Sequence, residues 1–169
     1  LPGTDGKAKM SKSLGNCIYL SDTSKEIKKK VNSMFTDPEH LQITDPGHVE
    51  GNVVFTYLDA FSTLEHFAKY LPEYASLDEM KDHYRRGGLG DGTCKKFLFN
   101  IMEEFLQPMR ERRAAYEQNI PQVYEILRKG SEEARRTAAQ TLAEVRKAMK
   151  IDYFDDADLI AEHTKKYQK

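Results

Sequence analysis

The run Thr93-Cys94-Lys95-Lys96-Phe97-Leu98-Phe99-Asn100-Ile101-Met102-Glu103-Glu104-Phe105-Leu106-Gln107-Pro108-Met109 decides the fold class. Phe97, Ile101, Phe105 and Met109 recur every four residues with Leu98 and Met102 beside them, which is the period of a helix with one apolar face. Thr93 is a candidate N-cap. Pro108 is expected to kink or split the helix, because it removes a backbone donor and crowds the preceding turn.

The same reading extends in both directions. Beyond the run, Ile120-Pro121 breaks the chain, and Pro121 suits a first helical position. Gln122 to Lys129 reads as a helix closed by Gly130. Ser131 then reads as the cap of another helix, whose Ala138, Leu142, Val145 and Met149 form an expected buried stripe. The tail from Asp156 to Lys169 is expected to be a last short helix that frays. Before the run, Leu77 to Arg86 puts Leu77, Met80 and Tyr84 on one side and stops at Gly87-Gly88. Val53 to Tyr70 is dense in apolar residues, a helix or helix pair at the centre of the core, stopped by Pro72. Thr23 stands in capping-box spacing to Glu26. The helix it starts carries Ile27, Val31 and Met34 on one face and Lys25, Lys28, Lys29 and Lys30 on the other. Cys17 to Leu20 is the single expected strand. The fold class is mainly α, a helical bundle behind a glycine-rich loop.

At 169 residues the chain is one domain, or one domain plus a remnant, with enough length to bury a core. Its net charge of −1 hides two basic clusters, the four lysines above and Arg110, Arg112 and Arg113. Nucleic acids are met by such patches, so a near-neutral total does not exclude them. Cys17 and Cys94 have no second Cys or His at ligand spacing, so no metal site is expected; they read as reduced packing residues of a cytoplasmic protein. No apolar run approaches membrane-spanning length and no signal peptide is present, so no membrane partner is expected. The chain starts at Leu1, directly in its most specialised motif. It is expected to be the C-terminal part of a longer polypeptide.

That motif is Lys9-Met10-Ser11-Lys12-Ser13, flanked by Gly3, Gly6 and Gly15. A flexible backbone with two point cations and small hydroxyl donors suits a polyanion such as a nucleoside triphosphate. By composition alone the signal is weak, because a Lys/Ser/Gly stretch near a terminus is most often a solvated loop. As a string, continued by Leu14-Gly15-Asn16, it resembles the ATP-activating loop of class I aminoacyl-tRNA synthetases. Further segments are similar to the tryptophanyl branch of that family: Leu1-Pro2-Gly3-Thr4-Asp5-Gly6-Lys7-Ala8, Asp45-Pro46-Gly47-His48-Val49-Glu50-Gly51-Asn52 with the residues after it, and Cys94-Lys95-Lys96 continuing to Arg113. The tyrosyl branch is the nearest alternative. A non-catalytic helical RNA-binding module is another.

The resemblance implies a tryptophan–tRNA ligase whose substrates are tryptophan, ATP with Mg2+, and tRNA, and which is a homodimer in full. It implies an anticodon-binding-type helical bundle preceded by a loop remnant of a Rossmann-type catalytic domain. The expected segments are 1–16 for the loop, 17–154 for the helical tRNA-binding domain and 155–169 for a terminal helix or tail. Carried over by motif position, Lys9 and Lys12 are the catalytic cations that stabilise the pyrophosphate leaving group, with Lys12 the first choice. Met10, Ser11 and Ser13 complete the ATP-binding set, and Met10 lies near the adenine or packs the loop. The tRNA candidates are Arg85, Arg86, Lys95, Lys96, Arg110, Arg112 and Arg113, because guanidinium planes stack on bases and pair with phosphates. The H-I-G-H-type motif of the family is absent from this sequence. His40, His48, His66, His83 and His163 are scattered and read as ordinary histidines. The chain by itself is therefore expected not to activate tryptophan.

Overall fold

The computed structural model describes residues 1–168. Lys169, the end of the expected tail, lies outside the described residues. Seven helices follow one another: α1 (Ser24–Asn32), α2 (Val53–Phe61), α3 (Leu64–Tyr70), α4 (Leu77–Arg86), α5 (Asp91–Glu117), α6 (Ile120–Ala148) and α7 (Ala157–Tyr167). Among the described residues the only β pairing is an isolated antiparallel bridge between Pro2 and Lys9. The chain forms two compact units, Leu1–Ala115 and Tyr116–Lys169.

The first unit holds the core. Thr23 caps α1 as its spacing predicts: its hydroxyl accepts from Glu26 N at 3.3 Å and Glu26 Oε2 accepts from Thr23 N at 2.7 Å. Ile27, Val31 and Met34 are buried, as expected of that face. The apolar stretch from Val53 resolves into the helix pair α2 and α3, separated by Ser62 and Thr63. Asn52 caps α2 by accepting from Val54 N at 3.1 Å. Val53, Val54, Phe55, Tyr57 and Leu58 of α2 pack with Phe67, Met80, Tyr84, Phe97, Leu98 and Ile101 in one continuous cluster. Each large side chain so buried contributes about 1.5–3 kcal/mol. Ser76 caps α4, and Gly87 at φ 81° ends it.

Several expectations need correction. Cys17 to Leu20 is not a strand: no neighbouring segment supplies a ladder, and Tyr19 N instead donates to Asp22 Oδ2 at 2.8 Å in a turn leading to α1. Thr93 is not the cap of α5, which begins two residues earlier at Asp91, where a carboxylate complements the helix dipole. Pro108 does not split α5. The helix runs through it, and both Pro108 and Glu104, whose carbonyl loses its amide partner, are solvent-exposed residues, where an open backbone acceptor costs least. Phe105 lies on the predicted stripe yet is 46% exposed, whereas Leu106 is 1% exposed. The covering surface turns about α5 along its length, and the Phe105 ring leans on Phe61 with centroids 5.4 Å apart.

In the second unit, Gly130 does not end a helix and Ser131 does not start one. Both are interior to the 29-residue α6, in which the ion pair Arg128–Glu125 (2.8 Å) precedes the glycine and Arg128–Glu132 (2.9 Å) spans it. Ala138, Leu142, Val145 and Met149 are not buried; Met149 is 63% exposed. Pro121 does fall in the first turn, behind the cap Asn119. The expected last helix is α7, capped by Asp156, which accepts from Leu159 N at 2.9 Å.

Gly130 has no left-handed φ, and a Cβ added there meets nothing within 4 Å. Gly130→Ala is therefore expected to stabilise the second unit by about 0.5–1 kcal/mol, through lower entropy of the unfolded chain. Thermal unfolding followed by circular dichroism reads this. Destabilisation would mean that a left-handed helix end exists there after all.

Candidate functional site

The lysine loop is a short hairpin-like excursion pinned at its base. Gly3 N donates to Ala8 O at 2.7 Å, next to the Pro2–Lys9 bridge, and Thr4 N donates to Asn16 O at 2.9 Å. The Asn16 side chain, in a residue only 4% exposed, fills the interior of the loop. Its Oδ1 accepts from Ser11 N at 2.8 Å, and its Nδ2 donates to Asp5 Oδ1 at 3.1 Å and Lys9 O at 3.5 Å. A Cβ at residue 3 would overlap the Asn16 carboxamide, so the close approach requires glycine. The amide donation from Asn16 also holds the Asp5 carboxyl below its ordinary range.

Two bonds tie this base to the helical body. Tyr57 on α2 donates its hydroxyl to Pro2 O at 2.8 Å, and Phe35 N donates to Thr4 O at 2.9 Å. Burial pushes the Tyr57 phenol up to about 12, so it remains a proton donor throughout the physiological range. Met10 packs against the core cluster, the packing role expected as one of its two options. Lys9 and Lys12 stay exposed, and neither makes an ion pair among the described residues. Ser11 and Ser13 face each other with their hydroxyls 2.8 Å apart. The loop thus gathers Lys9, Lys12 and the likewise exposed Lys7, none of them in an ion pair among the described residues, with two hydroxyls on an anchored base, an arrangement suited to a polyphosphate.

The candidate RNA-contact residues divide by partner. Arg85 is paired with Glu50 at 2.9 Å and Asp82 at 3.2 Å. Arg110 is paired with Glu103 and also reaches Asp22 O at 3.5 Å. Lys95 donates to Asn32 O at 3.0 Å. Arg86, Lys96 and Arg112 are exposed and make no ion pair among the described residues; Arg113 is exposed as well. The seven do not converge on one spot. Arg85 and Arg86 end α4, whereas the others spread along α5.

Sequence spacing did not signal a second cluster, formed by Asp37, Glu39 and His48. Its ligand-capable atoms lie within 4.8 Å of one another beside a cleft of about 380 Å³. Asp37 acts here as a loop staple: Oδ2 accepts from His48 N at 2.7 Å and His48 Nδ1 at 2.8 Å, and Oδ1 accepts from Glu39 N at 2.9 Å. Burial works to raise the Asp37 carboxyl, but these donors and the His48 charge bring it below its ordinary value. The Asp37 hydrogen bond and charge raise His48. Cys94 is buried, with its thiol pushed up to about 12 by burial and then by the Asp91 charge, as befits a packing residue.

The family description "tRNA synthetases class I (W and Y)" matches residues 1–107. The tryptophan–tRNA ligase of Clostridium longisporum is 56% identical over 156 residues, covering 92% of this chain and 43% of the relative. That of Streptococcus pyogenes serotype M3 is 53% identical over 154 residues, covering 91% and 43%. The tryptophanyl-tRNA synthetase of Campylobacter jejuni, solved in complex with ADP and tryptophan, superposes with a TM-score of 0.68 at 27% identity; the match covers 88% of this chain and 42% of that one. The chain therefore spans less than half the length of the relatives it matches.

Asn16→Ala removes the acceptor for Ser11 N and the donor to Asp5, leaving the loop without its filling. Amide exchange in residues 7–15 is expected to accelerate while exchange in α2 and α5 is unchanged; equal protection in both proteins would remove Asn16 as the clasp. The His48–Asp37 staple contributes most in a pH window. Its histidine part is fully present below the ordinary value of 6.5 and is lost as pH rises through the raised His48 midpoint. Its aspartate part is present above the ordinary value of 3.8 and is lost as pH falls through the lowered Asp37 midpoint. In an NMR titration, Asp37→Asn should bring the His48 midpoint down. An unmoved midpoint would sink the pairing.

Proposed function

This chain belongs to the class I tRNA synthetases of the tryptophan and tyrosine group, and from that premise we propose that it supplies the ATP-activating loop and RNA-contacting helices of a tryptophan–tRNA ligase. The observation that carries the reading is the loop: Lys9 and Lys12 stand uncompensated on a base clasped by Asn16. The tryptophan ligases that resemble the chain at 56% and 53% identity favour tryptophan over tyrosine as the amino acid. On this reading residues 1–16 close a Rossmann-type nucleotide-binding domain, 17–154 form an anticodon-binding-type helical domain, and 155–169 are the terminal segment that carries α7. The whole enzyme works in the cytoplasm as a homodimer.

In the reaction, a carboxylate oxygen of tryptophan attacks the α-phosphorus of ATP. The bond from that phosphorus to the bridging oxygen breaks, and pyrophosphate leaves with the electron pair. Negative charge grows on the leaving group, and on this reading closure of the loop brings Lys9 and Lys12 to it as two positive charges. Lys12 makes the principal pyrophosphate contact, while Ser11 and Ser13 donate to phosphate oxygens. Both lysines act protonated, since a neutral amine offers no charge to the leaving group. Mg2+ travels with the triphosphate and no ligand to it is assigned on this chain. Arg86, Lys96 and Arg112, which are exposed and in no ion pair among the described residues, are the leading contacts to tRNA. Arg85, Arg110, Lys95 and Arg113 complete that set.

The chain alone is expected to leave tryptophan-dependent pyrophosphate exchange at background. Joined to the part of the Clostridium longisporum ligase that precedes the matched segment, it should support exchange. In that chimera Lys12→Ala should lower kcat by about 10²–10³-fold, with little change in KM for tryptophan. Robust exchange by the chain alone, or an unimpaired Lys12→Ala chimera, would overturn the reading.

A further inference from the structure

The basic face of α1 is not used by the loop chemistry, yet no carboxylate among the described residues pairs with its outer lysines. Lys25, Lys28 and Lys29 occupy positions i, i+3 and i+4, opposite the buried Ile27 and Val31. All three are exposed, and none makes an ion pair among the described residues. The carboxylates nearby are already engaged. Asp22 holds Lys30, Glu26 is committed to the Thr23 capping box, and Glu103 holds Arg110.

Three contacts link α5 to α1 and to the turn before it. Lys95 Nζ reaches Asn32 O at 3.0 Å, Lys28 Nζ stands 5.9 Å from the centre of the Phe99 ring, and Arg110 Nη1 reaches Asp22 O at 3.5 Å. The exposed Lys96 is one turn before Phe99 and extends the basic face onto α5. Residues three and four apart on a helix have their Cβ atoms about 5–6 Å apart, so Lys25 is a surface neighbour of both Lys28 and Lys29. That row suits a repeating anion better than a single phosphate group. Lys29 and Lys30 in the last turn of α1 also complement its dipole, but Lys25 in the first turn does the opposite and earns nothing from it.

We propose that α1 and the first turns of α5 form a docking surface for RNA backbone, with Lys25, Lys28, Lys29 and Lys96 as phosphate contacts. This surface rests on the tRNA-ligase reading and adds to it a patch separate from the arginines at the end of α4. Contacts here carry no sequence information and act by neutralising phosphates, so they are sensitive to salt.

The test is binding of the 169-residue chain to a tRNA transcript by fluorescence anisotropy across a salt series. Replacing Lys25, Lys28 and Lys29 together by Gln should reduce the slope of log K against log salt by about 2–3, at about 0.7–0.9 per lost contact. Far-UV circular dichroism should be retained, because the face is solvated. Should the triple variant misfold, Lys25→Gln and Lys28→Gln singly should each reduce the slope by about 0.7–0.9. Lys69→Gln, which removes a lysine already paired with Glu104, should leave the slope unchanged. A slope unaltered by the α1 variants overturns this surface and leaves the ligase reading standing. An unsubstituted chain that binds no tRNA overturns both this surface and the RNA-contact part of that reading, but not the role of the lysine loop.

Discussion

The buried phenol of Tyr84 is the constraint on which the first unit depends. Its hydroxyl donates to Asp91 Oδ1 at 2.7 Å, fixing the start of α5, and accepts from Asn52 Nδ2 at 3.3 Å, fixing the cap of α2. Its ring packs on Phe55 and His40, with centroids 4.9 and 4.6 Å away. Gly47 lies so close that a Cβ there would overlap the ring. Burial, then the Asp91 hydrogen bond, raise the phenol well above its ordinary range, so it stays a donor. One side chain from α4 thereby sets where two other helices begin. A buried hydroxyl that lost these partners would retain its desolvation cost, about 1–3 kcal/mol, which makes the arrangement specific as well as stable.

The lysine loop depends on that body at second hand. Tyr57 and Phe35 tie its base to the core, and Asn16 fills its interior, so the backbone is held while the ammonium groups remain in water. The same sorting of charge recurs across the first unit. Arg85, Arg110, Lys30 and Lys69 each face a carboxylate, whereas Lys9, Lys12 and the outer face of α1 do not. Exposed pairs contribute little to stability, but they remove a cation from the set available to an anionic partner. The unpaired cations are therefore the more informative ones.

Much of this was legible from local chemistry. Thr23 with Glu26 announced the start of α1, and Gly87 announced the end of α4, because caps are decided by neighbours in sequence. The loop motif was legible as a string. Its supports were not: Asn16 and Tyr57 act through contacts 11 and 55 residues away in the chain. Gly15-Asn16 at the end of the motif was a signal for the clasp, but only the folded loop shows the carboxamide turned inward.

The failures have a common cause. Gly130 and Pro108 are punctuation in a local reading, yet each costs a helix only about 1–3 kcal/mol against Ala, and the surrounding helices absorb it. Phe105 and Leu106 sit one residue apart, and periodicity assigned the wrong one to the core because the covering surface turns about α5. By itself, then, the sequence determined the helical class, the capping box of α1, the stop of α4 and the lysine motif, all encoded within a few residues. The tertiary structure alone decided which apolar faces are covered, which cations are neutralised and what clasps the loop. Those outcomes depend on partners distant in the chain, and no local pattern records them.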